Sequence, residues 1–172
     1  KGFAMVTGAS SGIGMEIARQ LAAKGHALIL VARRLERLQM LQAEITAQHA
    51  VQVLLLPQDL CEPQAAEHLM AQVDQQGLHI DILVNNAAGN FSCPTAELSP
   101  NGWRTVVDID LNGTFYGCRA GYKHLKHSAH GGCIISIVTM LGLSGFDTST
   151  SPQGDGADTQ YPGMPDPLAP ES

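Results

Sequence analysis

The chain of 172 residues is 44% hydrophobic and 15% charged, which supplies one globular core and excludes a disordered polymer over most of its length. Its net charge is −6, yet the stretch from Asp147 to Ser172 holds five acids and no Lys or Arg, so the remainder is nearly neutral. No basic run suits nucleic acid or an anionic membrane and no apolar run of 18 residues spans a bilayer, so a cytoplasmic protein that binds neither is expected.

Strand-like and helix-like segments alternate for about 140 residues, the pattern of a parallel sheet flanked by helices. Phe3 to Thr7 reads as the first strand. A helix comes next, from Ile13 to Lys24, and stops at Gly25, a residue suited to end it. His26 to Ala32 is an apolar run of strand length. Leu35, Leu38, Leu41 and Ile45 mark one face of a second helix, and Val51 to Leu56 is a third strand. A turn from Pro57 to Pro63 leads to a helix ending near Gln75, then to a fourth strand at Ile80 to Asn85. Ser99-Pro100 starts one long helix reaching Lys126, and a fifth strand runs from Cys133 to Val138. From Asp147 onward five prolines and no apolar periodicity predict a disordered tail at 147–172, which leaves 1–146 as the single folded domain. Cys61, Cys93, Cys118 and Cys133 have no metal-ligand spacing and are expected to be reduced and mostly buried.

The chemistry starts with the loop Thr7-Gly8-Ala9-Ser10-Ser11-Gly12-Ile13-Gly14, set between strand and helix. Gly8 permits the tight turn, Gly12 lets backbone approach a pyrophosphate, and Gly14 lets the helix pack on the strand. The helix N-terminus then offers its unpaired N–H groups to phosphate, so the loop reads as a dinucleotide site. At the end of the second strand an acid would bind an adenosine ribose and repel a 2′-phosphate. This chain has Arg33 and Arg34 there, a match to phosphate oxygens, so NADP(H) is favoured over NAD(H). The alternative is that both arginines merely begin a solvated helix.

TGASSGIG, the pair Asp59-Leu60 and Asn85-Asn86-Ala87-Ala88-Gly89 together resemble the short-chain dehydrogenase/reductase family. The resemblance covers residues 1–146. It implies an α/β, Rossmann-like, doubly wound parallel sheet in three αβα layers with strand order 3-2-1-4-5, incomplete because the last strands are missing. It also implies that Asp59 and Leu60 lie near the adenine and that Asn86, Ala87, Ala88 and Gly89 run along the cofactor. NNAAGNF, LSPNGW and DIDLNGTF are similar to the 2,4-dienoyl-CoA reductase branch, whose members reduce conjugated enoyl thioesters with NADPH. The glycine loop has the general family form, where that branch more often has a glycine-richer one.

The family's usual catalytic set is a Ser, with a Tyr and Lys in YxxxK. Here Thr139 aligns with the Ser, Pro152 stands where the Tyr is expected, Tyr161 has no Lys four residues on, and no Lys occurs after Lys126. The dienoyl-CoA branch also uses an acid on the long helix, at the position of Asp110, or a Tyr at the position of Leu141. Asp110 is therefore a candidate proton relay, with a solvent-facing helix acid as the alternative. His124 and His127 are weighed as metal ligands against a polar helix end, Trp103 and Phe91 as an acyl pocket against core packing. Cys93 has nothing basic nearby to activate it.

Three readings are open: an NADP(H)-dependent reductase of enoyl or dienoyl-CoA type represented by its cofactor-binding portion, a non-catalytic NADP(H)-binding module, or a fragment whose tail is out of frame. The resemblance implies that segments carrying the Tyr, the Lys and the substrate lid are absent. The fifth strand should then be an exposed edge. The resemblance also implies that the helix at 99–126 forms a homo-oligomer contact.

Overall fold

The computed structural model describes residues 2–62, 64–89, 93–129 and 131–138. Five parallel strands, β1 (Phe3–Thr7), β2 (Leu28–Ala32), β3 (Val53–Pro57), β4 (Ile80–Asn85) and β5 (Cys133–Ser136), pair in the order β3-β2-β1-β4-β5. β1 and β2 are buried along their whole length, which is why both read as unbroken apolar runs rather than as alternating ones.

The two sheet faces separate by residue parity. Ala4, Val6, Leu28, Leu30 and Val84 face α1 (Gly12–Ala23) and α2 (Leu35–Gln48), where Ala18, Ala22, Leu38, Leu41 and Ile45 close one core. Met5, Ile29, Val31 and Leu83 face the opposite way, against Leu69, Met70 and Val73 of α3 (Ala65–Gln75) and Leu125 of α5 (Gly113–Lys126). On the first face Arg19 of α1 donates to both carboxylate oxygens of Glu44 of α2, at 2.7 and 2.9 Å.

Helices α1 and α3 end by the same device. Gly25 adopts φ +78 and Gly77 φ +65; each donates its N–H to the carbonyl three residues back, while His26 and Leu78 donate to Leu21 and Val73. These paired bonds satisfy terminal carbonyls and turn the chain directly into the next strand, a geometry that favours glycine.

The expected single helix over 99–126 is interrupted. Ser99 caps α4 (Pro100–Val106) by accepting from the Gly102 N–H at 3.0 Å, and Pro100 sits in the first turn. Residues Val107–Asn112 then form a π-helical turn before α5 begins. A π-turn adds one residue per loop of the ladder and rotates the next helix about its axis, which hydrophobic periodicity does not reveal. β5 is shorter than expected, although the Ile137 N–H still donates to the Asn85 carbonyl at 2.9 Å. It is the last strand of the sheet, and all four of its residues are exposed.

The expectation of mostly buried cysteines is corrected: Cys61, Cys93 and Cys118 are half-buried, Cys133 is exposed, and all four are free thiols. Among the described residues no helix is long and apolar enough to cross a membrane. The tail at 147–172 lies outside the described residues.

Candidate functional site

Strand order reverses direction at β1, where β2 lies on one side and β4 on the other, so the loops after these strands diverge and leave a crevice. A cleft of about 270 Å³ occupies that place. Its floor and rim are Gly8, Ser10, Ser11, Gly12 and Ile13 after β1, Arg33 and Arg34 after β2, Asp59 and Leu60 after β3, and Asn86, Ala87 and Ala88 after β4. Every cofactor residue expected from the sequence lines it except Gly14 and Gly89, which are buried.

The three glycines do different work. Gly8 has φ +65, and a Cβ there would come within 2.9 Å of the Ala87 Cα. Gly12 has φ +55 with nothing within 4 Å of a Cβ, so its backbone faces open cleft. At Gly14 a Cβ would collide with the Asn86 side-chain amide and approach the Gly8 carbonyl oxygen to 2.6 Å. The open position is thus the middle one, at the start of α1. Ser11 precedes that helix in an extended conformation and its side chain makes no capping bond, so the first N–H groups of α1 remain directed at the cleft.

Asn86 fastens the two sides of the crevice together. Its side-chain amide donates to the Thr7 carbonyl at 3.0 Å, while its backbone N–H and that of Ala87 both donate to the Thr7 hydroxyl, each at 3.0 Å. The Thr7 hydroxyl in turn donates to the Val84 carbonyl at 3.2 Å. Thr7 opens the glycine-loop motif, but its role was not readable from sequence because it is a set of contacts nearly 80 residues away in the chain. Ile109 and Ile137 also line the cleft without a sequence signal of their own.

At the far end of the cleft, beyond β2 and β3, Arg33 and Arg34 are half-buried and, among the described residues, their side chains form no hydrogen bond or ion pair with protein groups. Asp59 uses one carboxylate oxygen to accept the Cys61 N–H at 3.0 Å, a local turn that orients it beside Leu60. Burial and the nearby Asp59 charge push the Cys61 thiol up to about 11, against the pull of Arg33, so it is no nucleophile at neutral pH.

Asp110 lies on the π-turn, and its Oδ1 accepts the backbone N–H of the buried Gly89 at 2.7 Å. Crowding around the carboxyl raises its pKa and the Gly89 bond lowers it, the first effect being larger, even though the residue as a whole is exposed. Thr139 and Phe91 lie outside the described residues. Trp103, weighed as pocket or core, is 60% exposed, so core packing is ruled out.

His124 is not the polar helix end that was weighed against a metal ligand. It is 3% exposed, packs its ring 5.3 Å from that of His79, and lies 3.4 Å from the Asp74 carboxylate. That contact lacks hydrogen-bond geometry, and the Nε2 atoms of His79 and His124 are both buried without a hydrogen-bond partner. Burial pushes the His124 pKa down, against the pull of Asp74. Its inward position was readable from Gly121, His124 and Leu125, which recur at helical spacing and share the inner face of α5. No group of three or more metal-ligating side chains occurs among the described residues.

A doubly wound parallel sheet with an open glycine loop at its switch point and free arginines beyond the second strand defines the class of dinucleotide-binding α/β domains. The chain belongs to the short chain dehydrogenase family, whose pattern it matches over residues 2–151. It is 39% identical over 147 residues to the peroxisomal 2,4-dienoyl-CoA reductase, (3E)-enoyl-CoA-producing, of Arabidopsis thaliana, an alignment covering 80% of this chain and 48% of that protein. A protein of Bacillus subtilis (strain 168) named "Probable 2,4-dienoyl-CoA reductase, (2E)-enoyl-CoA-producing" is 34% identical over 134 residues, covering 78% of this chain and 52% of its own. Among solved structures, the alcohol dehydrogenase of Thermococcus sibiricus complexed with 5-hydroxy-NADP superposes with a TM-score of 0.73 at 30% identity, over 78% of this chain and 57% of that one. The chain therefore spans about half the length of the curated relatives it matches.

Proposed function

We propose that this chain is the NADP(H)-binding portion, residues 1–146, of an oxidoreductase of 2,4-dienoyl-CoA reductase type. The observation that carries the reading is the pair Arg33 and Arg34, unpaired and half-buried on the same cleft as the open Gly12 backbone and the uncapped start of α1. The names of the relatives supply the substrate class, a conjugated enoyl thioester.

The cleft residues fit such a cofactor. The N–H groups at Ser11 to Gly14 suit a pyrophosphate, Arg33 and then Arg34 a 2′-phosphate, Asp59 and Leu60 the adenine edge, and Ala87 and Ala88 form an apolar wall beyond. When bound, the nicotinamide supplies the hydride. Reduction of the dienoyl thioester then needs a proton donor, for which Asp110 and Thr139 are the candidates in this sequence, with Asp110 assisted by its raised pKa. The helical stretch from α4 through α5 exposes Trp103, Leu111, Phe115 and Tyr122, and this surface supports a homo-oligomer contact there. The cytoplasmic setting expected from the sequence is tested by fractionating cells that express the tagged gene product.

Calorimetric titration with NADPH, and with NADH as control, tests the cofactor assignment. Saturable binding with NADPH preferred is expected; equal affinity would remove the role of Arg33, and no binding of either would remove the reading. A second reading, binding without turnover, is favoured by Pro152, which stands where the resembled family's Tyr is expected. Oxidation of NADPH in the presence of a dienoyl-CoA thioester separates the two. Sedimentation showing only monomer at micromolar concentration would discard the oligomer.

A further inference from the structure

The wall of the cleft formed by residues 86–89 is held unequally at its two ends. At the near end three hydrogen bonds join Asn86 and Ala87 to Thr7, inside the body of the sheet. Among the described residues Gly89, at the far end, has one, its N–H to the Asp110 carboxylate at 2.7 Å. Between the two anchors Ala87 and Ala88 face the cleft and have no polar side chain with which to hold themselves.

Gly89 is buried, so its N–H without Asp110 would be a donor withdrawn from water and left unmade. The π-turn puts that carboxylate in place: the neighbouring Ile109 is buried and lines the same cleft, and Asn112 braces the turn by donating to Asp108 at 2.8 Å. Among the described residues Asp110 has no ion pair, and no charged group contributes to its shifted pKa.

We infer that Asp110 is a positioning residue, which sets the cofactor wall by holding the Gly89 amide and acts on the bound nucleotide through that loop. The inference rests on the cofactor reading above and adds to it a role that Asp110 fills whether or not it also donates a proton. The required property is an acceptor oxygen at this point, not a negative charge. Asp110→Asn keeps the oxygen and removes the acidity, whereas Asp110→Ala removes both.

The test combines amide NMR of the full chain with titration by NADPH. In the unsubstituted protein the Gly89 amide should exchange slowly and its proton shift should track a carboxyl titration. Asp110→Asn should keep the slow exchange, lose the titration and bind NADPH within about twofold. Asp110→Ala should lose the protection and weaken NADPH binding by about tenfold, the effect of one such hydrogen bond. The inference is overturned if Asp110→Ala leaves Gly89 or NADPH affinity unchanged, or if Asp110→Asn is as damaging as Asp110→Ala. Should the unsubstituted chain bind neither NADPH nor NADH, the cofactor reading fails and the inference goes with it, while normal binding by Asp110→Ala removes the inference alone.

Discussion

On the β2 and β3 side of the molecule, β1 and β2 are buried throughout and two helices close over them, tied by the Arg19 to Glu44 pair; on the other side β5 is exposed at every residue and α5 carries Phe115 and Tyr122 on its surface. The first half contains its own core. The second half leaves Trp103, Leu111, Phe115, Tyr122 and Ile134 exposed. The cleft lies on the border, with its glycine loop in the finished half and its Ala87 and Ala88 wall in the other.

The comparison fails if substitutions of equal size have equal effects on the two sides. Leu30→Ala, in the centre of β2, should lower unfolding free energy by about 4 kcal/mol, the upper range for a fully enclosed leucine. Ile134→Ala on exposed β5 should cost less than about 1 kcal/mol, and urea denaturation of both variants decides. Gly14→Ala should cost about 2 kcal/mol and displace Asn86, since a Cβ there meets that side chain and the Gly8 carbonyl. Gly113→Ala is its counterpart in the second half, with the nearest atom at 3.4 Å, and should be neutral or slightly stabilising because alanine suits a helix better.

Smaller effects sharpen the border itself. Arg33→Ala should weaken NADPH binding about tenfold, near 1.4 kcal/mol, and leave NADH unchanged; calorimetry with both cofactors reads the difference. One pH effect belongs to the second half. His124 is held neutral by burial, so the unfolded chain takes up a proton that the folded chain resists, and stability should fall as pH drops below about 6.5. The groups facing it are Asp74 of α3, which opposes the shift, and His79 and Lys123, which add to it. His124→Gln should flatten the slope of stability against pH between about 7 and 5, and an unchanged slope would place the proton uptake elsewhere.

Much of the finished half was legible in the sequence because local rules govern it. Apolar runs marked β1 and β2, and Gly25 marked the end of α1. The glycine loop was legible for the same reason, since turn geometry and the adjoining helix are specified within a single short segment. The staple by Asn86 was visible only as a motif of a resembled family, and the hub at Thr7 not at all, because both depend on partners across the sheet. The π-turn escaped because 107–112 keep a helical pattern while their hydrogen bonds shift by one residue. Trp103 was expected most readily in a core, where a large ring gains most; helical periodicity locates a face but does not say what covers it.

The Asn86 staple also bears on when the nucleotide loop exists during synthesis. All three glycines have left the ribosome long before β4, yet the contacts that lock Thr7 and Gly8 in place arrive only with residue 86. A nascent chain ending before β4 carries the whole fingerprint and none of its fastening, and pairings this distant in sequence form late. Stalled chains of increasing length should therefore gain NADPH-dependent resistance to protease only once Asn86 is free to fold, and protection at shorter lengths would show that the loop is built without it.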